Sequence, residues 1–366
     1  MKPLTVVIAG GGTGGHLYPG IAVARELLQR VPEAKVSFAG TARGIEARVV
    51  PREGFELDLL RSAALKGTSP AALARGLGLL PLSGVDAWRI LSKRRPDIVL
   101  GVGGYSSGPV VLAAAMRGIP TMLLEQNAVP GLTNRLLAHV VSAAAVTFAS
   151  TVSFFGRRAF VAGNPIRQEF VAASRQTGAG DGASGAVPRV LIFGGSQGAH
   201  AINMAMVEAA PRLADGRLAV THQTGERDLE SVRAAYRKAG LDARVEPFLY
   251  EMDREMTAAD VVVCRAGATT LAELTAAGKP AVLIPLPTAA DDHQRKNAEV
   301  LVGAGAAEMI EQKDLTGEAI AGRIAALVAD APRRERMATA ARTFARPDAA
   351  RVIVDRALEL AGREQR

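Results

Sequence analysis

The stretch "AGGGTGGHLYPG" (Ala9–Gly20) decides how this chain folds. It follows the apolar run "LTVVI" and precedes "IAVARELLQR", in which apolar residues recur at helical spacing. Glycines at a strand-to-helix turn let a ligand approach the backbone closely, and the start of a helix presents free N–H groups and the positive end of its dipole. The stretch therefore predicts an anion site, most often for phosphate, although such turns can also serve only tight packing.

The same glycines match the spacing of a dinucleotide site, since Gly10, Gly12 and Gly15 satisfy GxGxxG. That fingerprint also needs an acidic residue at the end of the second strand to hold the ribose hydroxyls. Here the second apolar run, "KVSFAG", is followed by threonine. A nicotinamide enzyme is therefore disfavoured.

Composition narrows the class of protein. A chain of 366 residues favours two domains, and a net charge of +8 suits nucleic acid, acidic lipid or a phosphorylated substrate. Aromatic residues make up only 4% and no basic run is interleaved with them, so nucleic acid is the least favoured partner. The single cysteine, Cys264, suits a reducing compartment, and no apolar stretch reaches the length of a membrane span. We expect a cytoplasmic protein whose membrane contact is peripheral.

Apolar runs of strand length alternate with helical patterns, which predicts parallel sheets covered by helices on both faces. The runs are "LTVVIA", "KVSFAG", "DIVLGV", "TMLLEQ", "RVLIFGG", "LAVTHQ", "DVVVCRAG" and "PAVLIPLP". In addition, two segments share the order strand, Gly-Gly, small polar residue, Gly, helix: "VVIAGGGTGGHLYPGIAVARELL" and "VLIFGGSQGAHAINMAMVEAA". This internal echo predicts two Rossmann-like, doubly wound α/β domains.

We place the first domain at residues 1–163 and the second at 164–345, beside the turn sequence "GNPIR". An amphipathic helix at about 346–366 is expected to pack back on the first domain. The stretch Ser174–Val190, rich in Gly, Ala and Ser, is either the linker or a loop beside it. Because open α/β sheets bind ligands beyond the carboxyl ends of their strands, facing domains would place their glycine-rich turns on opposite walls of one cleft.

Three glycine loops at strand ends predict phosphorylated ligands and suggest two diphosphate sites: Gly10–Gly15, Gly101–Pro109 and Gly194–Ala199. The chain has no GxxxxGK[ST] and no DxD pair for a catalytic Mg²⁺. We therefore expect no metal and no cofactor. Backbone amides, helix dipoles and Arg167 would neutralise a leaving diphosphate.

Three further side chains are candidates for chemistry. Glu273 follows Thr270 by three residues, which fits either a helix capping box or a carboxylate that holds ribose hydroxyls. His16 lies at a helix start, where the dipole disfavours imidazolium, so it could act as a general base or merely cap or pack. Glu125 ends a strand on the same side of the sheet and is the rival base or the group that orients it.

A basic and apolar segment follows the second strand. It contains Leu73, Leu77, Leu80 and Trp88 among Lys66, Arg75, Arg89, Lys93, Arg94 and Arg95. Core-facing leucines with a solvated basic face are the simpler interpretation for any one residue. As a set, the segment is typical of an interfacial patch that favours anionic lipid.

Seven motifs in order give the chain a specific resemblance: "GGTGGHLYPG", "GVGGYSSGP", "LLEQNAVPGLTNR", "GNPIR", "FGGSQGA", "CRAGATTLAEL" and "DDHQRKNAE". It resembles the MurG family, the bacterial N-acetylglucosamine transferases that convert lipid I into lipid II in peptidoglycan synthesis. The resemblance runs from about Leu4 to the final helix. It implies a GT-B architecture and an inverting, metal-free transfer from UDP-GlcNAc to lipid I. It also implies peripheral attachment to the cytoplasmic face of the plasma membrane, and leaves room for contact with other wall-synthesis proteins.

The resemblance also assigns residues. The donor site would consist of Thr13, Gly14, Gly15, Asn127, Arg167, Ser196, Leu249, Ala268, Thr269, Thr270, Leu271, Ala272, Glu273, His293 and Gln294. Within it, Glu273 would hold the ribose and Ser196 the diphosphate. The acceptor diphosphate would lie on Gly12, Gly14, Gly103, Gly104 and Tyr105, with His16 and Glu125 near the attacking hydroxyl.

Other functions remain open at this point. The rival functions within the same fold are another lipid glycosyltransferase and a UDP-GlcNAc epimerase, which needs no acceptor. A nucleotide-binding scaffold without turnover is the alternative from another class.

Overall fold

The computed structural model describes residues 3–62, 70–176, 187–195 and 197–363. The chain divides into two compact units. Unit 1 comprises Met1–Arg167 and Arg346–Arg366, and unit 2 comprises Gln168–Ala345. The chain thus passes from unit 1 to unit 2 after Arg167, at the end of "GNPIR", and returns before the final helix.

Unit 1 contains a seven-stranded parallel sheet in the order β3-β2-β1-β4-β5-β6-β7. Its strands are β1 (Thr5–Gly10), β2 (Lys35–Gly40), β3 (Glu56–Leu59), β4 (Ile98–Gly103), β5 (Thr121–Glu125), β6 (Ala143–Val146) and β7 (Ala159–Val161). Its helices are α1 (Gly14–Arg30), α2 (Glu46–Arg52), α3 (Pro70–Arg94), α4 (Ser107–Met116), α5 (Leu132–Leu137), α6 (Val152–Phe155) and, from the chain's end, α15 (Ala349–Leu360).

Strand β1, in the interior of the unit 1 sheet, is buried on both faces. Val6 and Ile8 of β1 belong to the core cluster that includes α1 and α15, whereas Val7 and Ala9 belong to the cluster that includes α3 and α4. Side chains alternate between the faces of a strand, so a continuous apolar run is what a sheet covered on both sides requires. The helices of unit 1 therefore form one layer on each face.

Unit 2 contains a six-stranded parallel sheet in the order β10-β9-β8-β11-β12-β13. Its strands are β8 (Arg189–Phe193), β9 (Ala219–Gln223), β10 (Ala243–Glu246), β11 (Val261–Cys264), β12 (Ala281–Leu283) and β13 (Ala307–Met309). Its helices are α7 (Gln168–Gln176), α8 (His200–Ala214), α9 (Leu229–Ala239), α10 (Met252–Ala258), α11 (Ala268–Ala277), α12 (His293–Gly303), α13 (Gly317–Ala329) and α14 (Ala331–Arg342).

Both sheets have the strand order of a Rossmann-like, doubly wound fold. The predicted α/β class and the eight predicted strands are confirmed. The short strands β3, β6, β7, β10 and β13 were not predicted. Most of the Gly/Ala/Ser-rich stretch lies outside the described residues; it separates α7 from β8, within the sequence range of unit 2.

The final helix completes the core of unit 1. Ile353, Val354 and Leu358 of α15 are buried in the same cluster as Leu27 of α1, and Arg30 of α1 forms an ion pair with Asp355. Burying side chains of this size contributes about 1.5–3 kcal/mol each. The predicted C-terminal helix is thus an integral part of the helical layer of unit 1 that contains α1.

Candidate active site

Two glycine loops meet at the carboxyl edge of the unit 1 sheet. The first follows β1 and leads into α1, and the second follows β4 and leads into α4. Gly104 has φ +80°, and a Cβ on it would collide with the carbonyl oxygen of Gly11. Only glycine allows this conformation and this backbone approach without strain. The loops that the sequence predicts for the acceptor diphosphate are therefore in direct contact.

A buried carboxylate holds the first loop in place. Glu46, at the start of α2, is 0% exposed. Its Oε2 accepts from the amide of Gly12 (2.8 Å), and its Oε1 accepts from the amide and the hydroxyl of Thr41 (both 2.9 Å). Ionised acceptors form stronger hydrogen bonds than neutral ones. Glu46 thus ties the loop after β1 to the loop after β2.

The hydrogen bond from Gly12 to Glu46 limits which of the predicted glycines can bind the acceptor diphosphate. The amide of Gly12 donates to Glu46, so it does not point outward as an anion-binding group. The first N–H groups of a helix have no intrahelical acceptor, so Gly14 and Gly15 at the start of α1 are the amides suited to an anion. The ring of Tyr105 would lie 3.2 Å from a Cβ on Gly12, which places it over the same loop.

His16 lies in the first turn of α1 and is half-buried. Its Nδ1 is 3.2 Å from Oε1 of Gln126, the residue that follows β5. A Cβ on Gly103 would lie 2.8 Å from Nδ1, so the ring packs against the end of β4. The structure thus brings His16 together with the second glycine loop and with the loop after β5.

Glu125 anchors the loop after β5. It is 2% exposed; Oε1 accepts from the amide of Asn127 (3.0 Å), and Oε2 accepts from the amide of Gly131 (3.0 Å) and Nδ2 of Asn134 (2.8 Å). Burial raises the pKa of this carboxyl above its ordinary value, although these hydrogen bonds oppose the rise. A carboxylate that is enclosed and engaged through both oxygens is suited to positioning Asn127 rather than to reaching a substrate.

The predicted donor residues of unit 2 gather at the carboxyl edge of its sheet. Leu249, which is 7% exposed, lies in the loop after β10, and Ala268 to Glu273 form the first turns of α11, after β11. His293 and Gln294 begin α12, beyond the end of β12. Ser196 lies outside the described residues. The other predicted donor residues, Thr13, Gly14, Gly15, Asn127 and Arg167, belong to unit 1.

The structure excludes the capping-box interpretation of Thr270 and Glu273. Helix α11 begins at Ala268 with Gly267 as its N-cap, and no side chain caps it. Thr270 is therefore the third residue of the helix and cannot be its cap. Glu273 lies in the second turn and is 6% exposed. A carboxylate buried at this edge without a capping function fits the ribose-binding interpretation.

Gln294 connects two strand ends. Its Oε1 accepts from the amides of Ala266 (3.2 Å) and Leu286 (3.0 Å), which follow β11 and β12. Because the amide oxygen faces the protein, its NH₂ group is the part suited to a ligand. The neighbouring His293 lies with Nδ1 2.7 Å from the carbonyl oxygen of Ala290.

A buried polar network lies beside the third glycine loop, because a Cβ on Gly198 would meet the carbonyl oxygen of Thr224. His222, at 0% exposure, lies with Nδ1 2.7 Å from the hydroxyl of Tyr236 and Nε2 3.1 Å from Oδ1 of Asn203. Nδ2 of Asn203 donates to Oδ2 of Asp228 (2.8 Å) and to the carbonyl of Thr224 (2.9 Å). Burial lowers the pKa of His222 to about 3, so this histidine is neutral.

Sequence reasoning missed Glu46, Gln126 and this network. Glu46 lies six residues after the end of β2, beyond the position at which a dinucleotide fingerprint carries its acidic residue. Gln126 stood next to Glu125 in a motif already singled out. Among the described residues, no group of three or more His, Cys, Asp or Glu side chains could hold a metal ion.

Comparison with known proteins agrees with this architecture. The model "Glycosyltransferase family 28 N-terminal domain" matches residues 6–146, and the model "Glycosyltransferase family 28 C-terminal domain" matches residues 189–353. The crystal structure of Acinetobacter baumannii MurG is 32% identical, with a TM-score of 0.83 over 98% of this chain and 100% of that chain. A UDP-GlcNAc 2-epimerase from Neisseria meningitidis reaches a TM-score of 0.68 at 15% identity, which shows a shared fold alone.

Curated relatives match nearly the whole chain. The "UDP-N-acetylglucosamine--N-acetylmuramyl-(pentapeptide) pyrophosphoryl-undecaprenol N-acetylglucosamine transferase" of Anaeromyxobacter sp. (strain K) is 51% identical over 98% of this chain and 94% of its own length. The protein of the same name from Pelobacter propionicus is 48% identical over 97% of this chain and 99% of its own length. With both domain models matched and half of its residues shared with these enzymes, the chain belongs to glycosyltransferase family 28 and, within it, to the MurG family of N-acetylglucosamine transferases.

Proposed function

We propose that the protein transfers N-acetylglucosamine from UDP-GlcNAc to the C4 hydroxyl of the muramoyl sugar of lipid I, which yields lipid II for peptidoglycan. The observation that carries the proposal is identity of about half of the residues, across almost the full chain, with transferases named for this reaction. The contact between the two glycine loops of unit 1 adds support, because this glycine-rich edge suits a diphosphate-bearing substrate.

In the proposed reaction, His16 accepts the proton of the C4 hydroxyl as the oxygen attacks C1 of the donor sugar. The bond between C1 and the diphosphate oxygen breaks, UDP leaves with the electron pair, and inversion gives a β1,4 linkage. Glu273 would hold the ribose. Helix N-terminal amides and Arg167 would stabilise the charge on UDP, so no metal is assigned to the reaction. Glu125 would position Asn127 and the loop beside His16.

The test measures UDP release from UDP-GlcNAc with and without a short-chain lipid I analogue, each with and without EDTA. We expect release that depends on the acceptor and ignores EDTA. Processing without the acceptor would point to an epimerase, and binding without turnover to a scaffold. His16→Ala should lower kcat by about 10²–10⁴-fold, the usual contribution of a general base, and near-full turnover would reject His16 in this function.

We further propose that unit 1 attaches peripherally to the anionic, cytoplasmic face of the plasma membrane. No helix in the described part of the chain has the length and apolar character needed to cross a membrane. Helices α3, α4 and α5 pack in a row and expose large apolar side chains: Leu80, Leu82, Val85, Trp88, Leu112, Met116 and Leu136. Arg117 lies 4.9 Å from the Trp88 ring, so positive charge borders this apolar face. Apolar side chains ringed by basic ones suit anionic headgroups.

One predicted member of the patch, Arg94, is paired within unit 1. Arg94 forms a bidentate pair with Asp58, through Nε (2.6 Å) and Nη2 (2.9 Å), and its Nη2 also forms a single contact with Glu56 (2.7 Å). Its charge is therefore neutralised within unit 1. Lys66 and the side chains of Leu73, Arg75 and Leu77 lie outside the described part of the structure.

Sedimentation with phosphatidylglycerol vesicles tests the attachment. Replacing Trp88 and Met116 together by serine should weaken binding at least about tenfold, since each apolar side chain transferred contributes about 1.5–3 kcal/mol. Val302→Ser, on the exposed surface of unit 2, is the matched control. Arg94→Ala should lower stability and leave binding unchanged. Equal binding by the double variant and the wild type would reject this surface.

A further inference from the structure

We propose that Gln126 is a positioning residue that fixes the tautomer of His16, with the proton on Nδ1 and the lone pair on Nε2. The catalytic consequence rests on the proposed function, in which His16 is the base. The assignment of the tautomer rests only on contacts within unit 1.

The orientation of the Gln126 amide follows from its buried partner. The residue is 2% exposed, and its Nε2 is 3.0 Å from the carbonyl oxygen of Val102. A carbonyl oxygen can only accept a hydrogen bond, so the amide group that faces it must be the NH₂. A hydrogen-bond network of this kind is what distinguishes the oxygen from the nitrogen of an amide. The other end of the amide, toward His16, is therefore the oxygen Oε1.

The orientation of the Gln126 amide in turn determines which nitrogen of His16 carries the hydrogen. Oε1 of Gln126 lies 3.2 Å from Nδ1, and an amide oxygen cannot donate. Nδ1 must therefore carry the hydrogen. A neutral imidazole has one N–H, so Nε2 is the basic nitrogen.

Packing holds the ring in this orientation. A Cβ on Gly103 would meet Nδ1 at 2.8 Å and Cε1 at 3.0 Å, so this side of the ring lies against the end of β4. Gly103 has φ +95°, a conformation that side chains with a Cβ rarely adopt. Val102 thus fixes the orientation of the imidazole ring through Gln126, and Gly103 fixes it by direct contact.

A neutral amide can perform this task without adding charge to the site. A carboxylate on Nδ1 would also orient the ring, but it would in addition stabilise imidazolium. The amide selects the tautomer without adding charge, and its bond to Nδ1–H strengthens when Nε2 accepts the substrate proton, because the donor is then cationic.

The direct test is ¹⁵N NMR of the full-length protein labelled at its five histidines, at about pH 8, above the ordinary histidine pKa of about 6.5. His16→Gln identifies the His16 signals. His222 is an internal standard of the opposite tautomer, because Asn203, whose NH₂ donates elsewhere, offers its oxygen to Nε2. We expect a protonated Nδ1 in His16 and a protonated Nε2 in His222. A protonated Nε2 in wild-type His16 overturns the proposal, whatever the variants do.

The variant Gln126→Met keeps the length of the side chain and removes both hydrogen bonds. We expect a mixture of His16 tautomers and a fall in kcat of about fivefold to tenfold, the size of one neutral hydrogen bond, with both KM values within about twofold. Gln223→Met is the matched control, since Gln223 is also buried at a strand end and also donates to a backbone carbonyl. It should leave the His16 signals unchanged.

These outcomes separate two failures. A changed tautomer with unchanged kcat refutes the positioning function of Gln126. Wild-type protein that shows the expected tautomer but transfers no sugar refutes the proposed function and leaves the assignment of the tautomer in place.

Discussion

Replacing Glu46 by glutamine tests whether one buried carboxylate holds the first glycine loop. The change is isosteric, but an amide has one acceptor oxygen where the carboxylate has two. If that oxygen keeps both bonds from Thr41, the new NH₂ group faces the amide of Gly12, and two donors meet. One charge-assisted bond is lost and one buried N–H is left without an acceptor.

The expected cost is about 2.5–6 kcal/mol of unfolding free energy, because bonds to charged groups contribute about 1.5–3 kcal/mol and an unsatisfied buried donor costs about 1–3 kcal/mol. For a domain of this size, each kcal/mol lowers Tm by about 2–4 °C. We therefore expect the midpoint of the unit 1 transition to fall by about 5–24 °C. Since the loop leads into the turn that carries His16, kcat/KM for the acceptor should fall about tenfold or more.

Differential scanning calorimetry and the UDP-release assay measure the two effects. Glu33→Gln is the control, because it removes the same charge from an exposed position and should change stability by less than about 0.5 kcal/mol. If Glu46→Gln melts within about 2 °C of the wild type and turns over equally well, the loop does not depend on this carboxylate.

Three further predictions follow from contacts in the two units. Thr270→Ala should leave thermal stability unchanged, since Gly267 caps α11, and raise KM for UDP-GlcNAc several-fold; a loss of stability with unchanged KM would restore a capping function. Burial lowers the pKa of His222 to about 3, so between about pH 6.5 and 3 the unfolded chain binds a proton that the folded chain excludes. Unit 2 should then lose up to about 1.4 kcal/mol for each pH unit lowered, and urea unfolding at several pH values should show a flatter slope for His222→Gln; an unchanged slope contradicts the assignment. Gly104 and Gly54 both have a φ near +80°, but only a Cβ on Gly104 would meet a neighbouring loop. Gly104→Ala should therefore lower the free energy of unfolding by about 2 kcal/mol more than Gly54→Ala, and it alone should reduce turnover. Equal losses of stability and of turnover in the two variants would argue against the loop contact.

Much of the fold was predictable because strand runs and helical periods are local properties. Strand β1 is buried on both faces, so its sequence is a continuous apolar run. The glycines after it indicate a backbone conformation that other residues avoid. The short edge strand β7 has exposed and half-buried residues and leaves no such signal. The function of Glu46 was equally hidden, because its partners are backbone and side-chain groups of two loops that meet only in the folded sheet.

The site residues likewise differ in whether local sequence was enough to predict their function. The position of Glu273 on α11 followed from the sequence, but whether Thr270 caps the helix depended on where the helix begins, which no residue type at that point specifies. Glu125 was found as a carboxylate at a strand end, yet its enclosure by Asn127, Gly131 and Asn134 required the path of the following loop.

The return of α15 to unit 1 has a consequence for biosynthesis. Ribosomes make proteins from the N-terminus, and domains generally fold in that order. Here unit 1 lacks one helix of the layer that contains α1 until residues 349–360 have left the ribosome, whereas unit 2 is continuous in sequence and complete earlier. The apolar surface of α1 that α15 covers therefore stays exposed while the whole of unit 2 is translated. We expect nascent chains to finish folding from the second half first, and chains truncated before Ala349 to depend on chaperones.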